Sequence, residues 1–182
     1  MPRLFVALRP PPAIRAALLE RGGGVPGARW QDDEQLHLTL RFVGDVDRPV
    51  AEDVAAALGA VHAPAPRLTL AGVGRFAHRG RTEALWAGVA PSDALRHLRR
   101  KVEQACVRAG LPAESRAFLP HVTLARFSRS AGHAPEIEGW LAVHAGLTSP
   151  AFEPGHIILY ESRLGGSGAS YAPVLRWPLA TG

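Results

Sequence analysis

The chain of 182 residues is 47% hydrophobic and only 20% charged, which supplies a packed core and argues against a disordered chain. Its net charge of +5 rests almost wholly on arginine, Lys101 being the only lysine, and permits an anionic partner without specifying one. A single cysteine, Cys106, excludes an intrachain disulfide, and no apolar run approaches the roughly 20 residues that span a bilayer, so a cytoplasmic protein without a membrane partner is expected.

In chain order, RLFVAL at 3–8 reads as a strand. PPAIRAALLERGGG at 11–24 follows as a helix started by prolines and ended by glycines. Residues 36–43 form a strand closed by Gly44-Asp45. Residues 49–61 read as a helix with Val50, Val54, Ala57, Leu58 and Val61 on one side. A proline-bounded strand covers 63–76, a polar turn 78–83 and a further strand 84–90. The longest helix runs from Ser92, a suitable N-cap, to Ala109, with Gly110 as its stop and Cys106 in its buried pattern. After it come a strand at 121–127, a helix near 135–145, a strand near 151–163, a turn at 165–170 and a last strand at 171–177.

The halves 3–76 and 84–163 repeat this order. Each contains one H-Φ-T-L word, at His37 and at His121, 84 positions apart. The repetition predicts one two-lobed domain over 1–182, of α+β class. Each lobe is a mainly antiparallel sheet with helices outside, and a groove lies between the lobes.

In a strand, residues i and i+2 share a face. His37 and Thr39 therefore point together while Leu38 and Leu40 point to the core, and His121 with Thr123 repeats the arrangement against Val122 and Leu124. Two such platforms facing one groove suit phosphodiester chemistry. A neutral imidazole takes a proton from water, an imidazolium protonates the leaving oxygen, and the hydroxyls bind non-bridging oxygens. One H-x-T word is a chance event or a structural residue; two in repeated context are far more specific. A shared zinc needs a third ligand at suitable spacing, which neither word carries, so no metal and no cofactor is expected. His62, His78, His97, His133, His144 and His156 lack repeated context and read as solvent-facing or locally bonded.

RLFVAL at 3–8, HLTLRFVG at 37–44, PHVTLARF at 120–127 and the ESRL…Y pattern at 161–171 resemble the two-histidine phosphoesterases, in particular RNA 2′,3′-cyclic phosphodiesterases, also called 2′-5′ RNA ligases. That resemblance implies a substrate, either RNA with a 2′,3′-cyclic phosphate end or a cyclic nucleotide, and opening to a 2′-phosphomonoester, with weak reverse ligation. It implies His37 as proton donor and His121 as proton acceptor, with Thr39 and Thr123 on the phosphate. Arg41, four positions after His37, falls on the same face by alternation and is expected to reach phosphate. Arg126, five after His121, falls on the other face by alternation and has the substrate contact that the resemblance implies only if a bulge or the strand's end there turns it into the groove. Phe127 falls on the groove side and is expected to stack on a base. Trp30 and Tyr171 read mainly as core packing near the groove. A monomer is expected. The alternatives are another cyclic phosphate, a 2′-5′ linked oligonucleotide, or an RNA-end binding module without turnover.

Overall fold

RLFVAL becomes β1 (Arg3–Leu8), buried from Leu4 onward because it runs through the middle of a sheet. The computed structural model describes residues 1–166 and 168–180. After β1 come α1 (Pro12–Leu19), β2 (Ala28–Trp30), β3 (Leu38–Asp45), α2 (Arg48–Gly59), β4 (Leu70–His78) and β5 (Arg81–Val89). Then follow α3 (Asp93–Arg108), β6 (His121–Phe127), α4 (Glu136–His144), β7 (His156–Gly165) and β8 (Gly168–Pro178). A short 3₁₀ turn, Asp33–Gln35, precedes β3, with Asp32 and Gln35 capping each other reciprocally.

The helices start where the sequence says they should. Pro12 opens α1, the Asp47 side chain accepts from Val50 N–H at α2, and the Ser92 hydroxyl accepts from Leu95 N–H at α3. Leu95, Leu98, Val102, Ala105 and Cys106 form the buried stripe of α3. The β4–β5 turn is tighter than the hexapeptide expected at 78–83. Arg79 and Gly80 alone make it, both at positive φ (51° and 78°), which suits the right-handed twist of the flanking strands. The turn expected at 165–170 includes Ser167, which lies outside the described residues.

The strands run in the order β4-β5-β6-β3-β1-β7-β8, with β2 added to β6, and every strand pairing is antiparallel. Among the described residues the two half-sheets meet at one ladder pair, Leu38 opposite Val122. Each half of the sequence lends its last strand to the other: β4 lies on β5, and β7 lies on β1. The α+β class is as expected, while the two sheets of the lobes are continuous at that single bridge.

One face of the sheet is covered by helices. Leu38, Leu40, Val122 and Leu124 join Leu18 of α1, Val54 of α2, Leu98 of α3 and Trp140 of α4 in a single core. On the other face a small separate cluster of Phe5, Ala7, Ile158 and Tyr160 floors the first lobe. Burying the apolar stripe on the helical side leaves the alternate residues to line an open groove.

Candidate active site

Leu38 and Val122 are 2% and 0% exposed on the helix side, so their neighbours in each strand turn to the groove. Because the pair is antiparallel, His37 stands opposite Thr123 and Thr39 opposite His121. The two histidines are thus diagonal across one strand step, a backbone separation of about 7–8 Å. His37, Thr39, His121 and Thr123 all line one cleft of about 430 Å³.

Each imidazole is locked in the same way. His37 Nδ1 lies 2.7 Å from the carbonyl of Gln35, and His121 Nδ1 lies 2.7 Å from the carbonyl of Leu119. A carbonyl only accepts, so Nδ1 carries the proton and Nε2 keeps its lone pair in the neutral ring. Aromatic walls hold the rings in place. His37 packs on Phe5 at 4.7 Å, Tyr171 at 5.0 Å and Tyr160 at 6.1 Å; His121 packs on Phe76 at 4.9 Å and Trp86 at 6.0 Å. Gly74 makes room for this second wall, since a Cβ there would stand 2.3 Å from the Trp86 ring. Burial pushes His37 down to about 4 against the help of its Gln35 bond, with the Arg126 and His121 charges adding to the shift. Burial lowers His121 as well, again with a contribution from Arg126.

A bulge follows each H-Φ-T-L word at the same place. Against β1, the register of β3 passes from Thr39 to Arg41 and leaves Leu40 unpaired. Against β5, the register of β6 passes from Thr123 to Ala125 and leaves Leu124 unpaired. The extra residue reverses the faces beyond it, which alters the expectation for Arg41 and corrects the one for Phe127. Arg41 still borders the cleft, but its guanidinium is engaged by protein groups. It pairs with Val6 on the helix side and is 8% exposed. There its guanidinium donates to Glu103 at 2.7 Å, to the Phe42 carbonyl at 2.6 Å and to the Pro112 carbonyl. Phe127 does not stack over the groove; it is 7% exposed in the main core. The same reversal puts Arg126 on the groove side, beside Ala84 in register, and it lines the cleft.

The position equivalent to Arg126 in the first word is Phe42, which is 50% exposed at the cleft. The Arg116 guanidinium sits 5.8 Å from its ring centre. Arg99, over the Phe118 ring at 5.5 Å, and Leu119 complete this rim. The rim loop is tied down through Glu103. One carboxylate oxygen of Glu103 takes Arg41, and the other accepts Glu114 N–H at 3.0 Å. Arg41, on the strand of His37, therefore braces the segment that delivers His121.

Sequence reasoning missed the aromatic walls and Phe42. Alternation within RLFVAL was the available signal for Phe5, which shares a face with Ala7. Tyr171, read as core packing, does pack on the Phe5 cluster and also makes an edge contact with His37. Trp30 does pack on the helix side, against Trp140 at 5.7 Å.

Comparison with known proteins adds to this geometry. The model of the 2′-5′ RNA ligase superfamily matches residues 10–166. The chain belongs to that superfamily. An RNA 2′,3′-cyclic phosphodiesterase of Aeropyrum pernix is 34% identical over 149 residues, 81% of this chain and 84% of that one. One of the same name from Geobacillus stearothermophilus is 35% identical over 148 residues, 80% of this chain; the match spans about half of that longer relative, 46%. Escherichia coli LigT, solved with 3′-AMP, superimposes with a TM-score of 0.76 at 27% identity, covering 98% of this chain and 99% of that one.

Proposed function

We propose that the cleft hydrolyses the 2′,3′-cyclic phosphate of an RNA end, or of a cyclic nucleotide, to a 2′-phosphomonoester without a metal. The observation that carries this reading is the diagonal pair of histidines, each anchored through Nδ1 and set in one cleft with two threonine hydroxyls. Relatives named RNA 2′,3′-cyclic phosphodiesterase support the substrate class.

In this reading His121 Nε2 takes a proton from the attacking water. The water oxygen bonds to phosphorus, the bond to O3′ breaks, and His37 Nε2–H protonates O3′ as it leaves. Attack and departure need opposite sides of phosphorus, which the diagonal placement supplies. Thr39 and Thr123 donate to the non-bridging oxygens, and Arg126 compensates their charge. The face of Phe42 serves the base, the role expected of Phe127. Both histidines are depressed in the free protein, so the neutral form of His37 dominates near pH 7. The cyclic phosphate anion favours imidazolium, and its arrival raises the proton affinity of the donor. Opening by an RNA 5′-hydroxyl in place of water follows the same course, forms a 2′-5′ linkage as O3′ leaves, and is outcompeted by water. An RNA substrate fits a cytoplasmic reaction, and the named cleft residues all come from one chain, which fits a monomer.

The test is turnover of 2′,3′-cyclic AMP in excess chelator, with the 2′- and 3′-monophosphates resolved. Expected is undiminished formation of the 2′ isomer. Abolition by the chelator overturns the metal-free mechanism, and a 3′ product overturns the assignment of the leaving oxygen.

A further inference from the structure

A second cavity, of about 220 Å³, opens on the groove side of the first lobe. Its walls carry three arginines from separate elements: Arg9 just after β1, Arg15 in α1 and Arg176 in β8. Asp33 organises two of them. It accepts from Arg15 Nε at 2.9 Å and from Arg9 at 3.2 Å, while a further Arg15 nitrogen donates to the Pro10 carbonyl at 2.7 Å. The Arg15 bond holds the Asp33 carboxyl below its usual range, with both guanidinium charges helping. Glu153 supplies a second negative charge and His156 a titratable ring. Three cations against two carboxylates leave one positive charge unmatched. Arg176 has no ion-pair partner among the described residues, and Arg9 Nε is buried without a hydrogen-bond partner.

The register ties this cavity to the catalytic cleft. Thr39 pairs with Ala7, Ala7 with Ile158, and Ile158 with Arg176. Residues paired across antiparallel strands share a face, so these four form one row on the groove side. Three strand steps separate Thr39 from Arg176, a distance of about 14 Å. A mononucleotide seated between the histidines does not cover that span; a short oligonucleotide does. Tyr160, which packs against His37, also feels the charges of Arg9 and Arg15 and stands between the two cavities.

We propose that this cavity is a second phosphate site, where Arg176 with Arg9 and Arg15 binds a backbone phosphate of the RNA on the 5′ side of the reacting nucleotide. It rests on the cyclic phosphodiesterase reading of the cleft and gives that reading a preference for oligonucleotides over mononucleotides. Asp33 acts as the orienting group: it fixes two guanidiniums and leaves the unmatched charge toward the cavity.

The experiment compares 2′,3′-cyclic AMP with a hexaribonucleotide ending in a 2′,3′-cyclic phosphate, in wild type and in Arg176→Glu and Arg176→Gln. Expected is a several-fold rise of KM for the hexamer with Arg176→Gln, a larger one with Arg176→Glu, and unchanged kinetics on cyclic AMP. The salt dependence of log kcat/KM for the hexamer should flatten by about 0.7 per lost contact. Equal effects on both substrates, or none on the hexamer, overturn the proposal. So does an Arg176-dependent affinity for inorganic phosphate with no advantage of the hexamer, which marks a free-anion site. If wild type opens neither substrate, the reading of the cleft falls, and binding of a 3′-phosphorylated hexamer decides the second site separately. Weakening by Arg176→Glu upholds it, and unchanged binding overturns it.

Discussion

The lobe of His37 and the lobe of His121 share a frame and differ in what is hung on it. Both histidines are pinned by the carbonyl two residues back, both strands bulge one residue after the threonine, and both rings lean on aromatics of the neighbouring strand. The differences sit at equivalent positions. Arg41 faces the helices where Ala125 stands in the other lobe, and Phe42 enters the cleft where Arg126 does. The edge strand β8 adds Tyr171 over His37, and the opposite edge strand, β4, brings Phe76 to His121. A common backbone sets where the two imidazoles meet the substrate; the unequal neighbours set their proton affinities and what each side binds.

The frame is tested most severely by removing either ring. His37→Ala and His121→Ala should each lower kcat on 2′,3′-cyclic AMP by about 10²–10⁴-fold, with circular dichroism unchanged. A large loss in one variant and none in the other breaks the equivalence of the lobes.

The two arginines sharpen the contrast. Arg41→Ala leaves the partly buried Glu103 without its closest cation, with only Arg99 at 3.9 Å, and should cost about 1–3 kcal/mol in urea unfolding. Arg126→Ala, with its side chain at the cleft, should stay within about 0.5 kcal/mol of wild-type stability while losing activity. If Arg126→Ala is the less stable of the two, the reversal of faces at the bulges is wrong.

Acid stability distinguishes the histidines further. His37 is held at about 4 by burial, below its ordinary 6.5, so the unfolded chain binds the extra proton first. The stability contributed by neutral His37 is complete above pH 6.5 and is lost as pH falls toward 4. The loss is on the order of 3 kcal/mol. His37→Gln should flatten the unfolding free energy across that window, and His121→Gln should flatten it less. Equal slopes remove the difference in burial.

Much of this was legible in the sequence, because periodicity reports faces. Leu38 and Val122 fixed the register that turns both H-x-T pairs outward, and the apolar stripe of α3 gave its buried side down to Cys106. The bulges were not legible in the periodicity; only the family resemblance, through Arg126, called for one or for a strand end. An extra residue at Leu40 or Leu124 has the composition of an ordinary strand position, yet it turns the Arg41 guanidinium to Glu103, buries Phe127 in the core and brings Arg126 to the cleft. The exchange of β4 and β7 between half-sheets is a matter of long-range pairing, which local pattern does not carry. Tyr171 reached His37 by the same route, from a strand far along the chain.

The smallest effect assigns the proton donor. Because His37 is the more deeply packed ring, the lower flank of the pH profile of kcat/KM belongs mainly to it, and both flanks should lie below pH 6.5. Tyr171→Ala admits water to His37, relieves the burial that depresses it and moves that flank up by about one unit; Tyr171→Phe keeps the ring and moves it little. The height of the maximum then separates the roles. The productive free enzyme has the donor charged and the acceptor neutral. If His37 is the donor, raising its proton affinity enlarges that population and lifts the maximum relative to Tyr171→Phe. If His37 is the acceptor, the same shift shrinks the population and lowers it. A lowered maximum with a shifted flank would exchange the roles of His37 and His121 while leaving the shared frame intact.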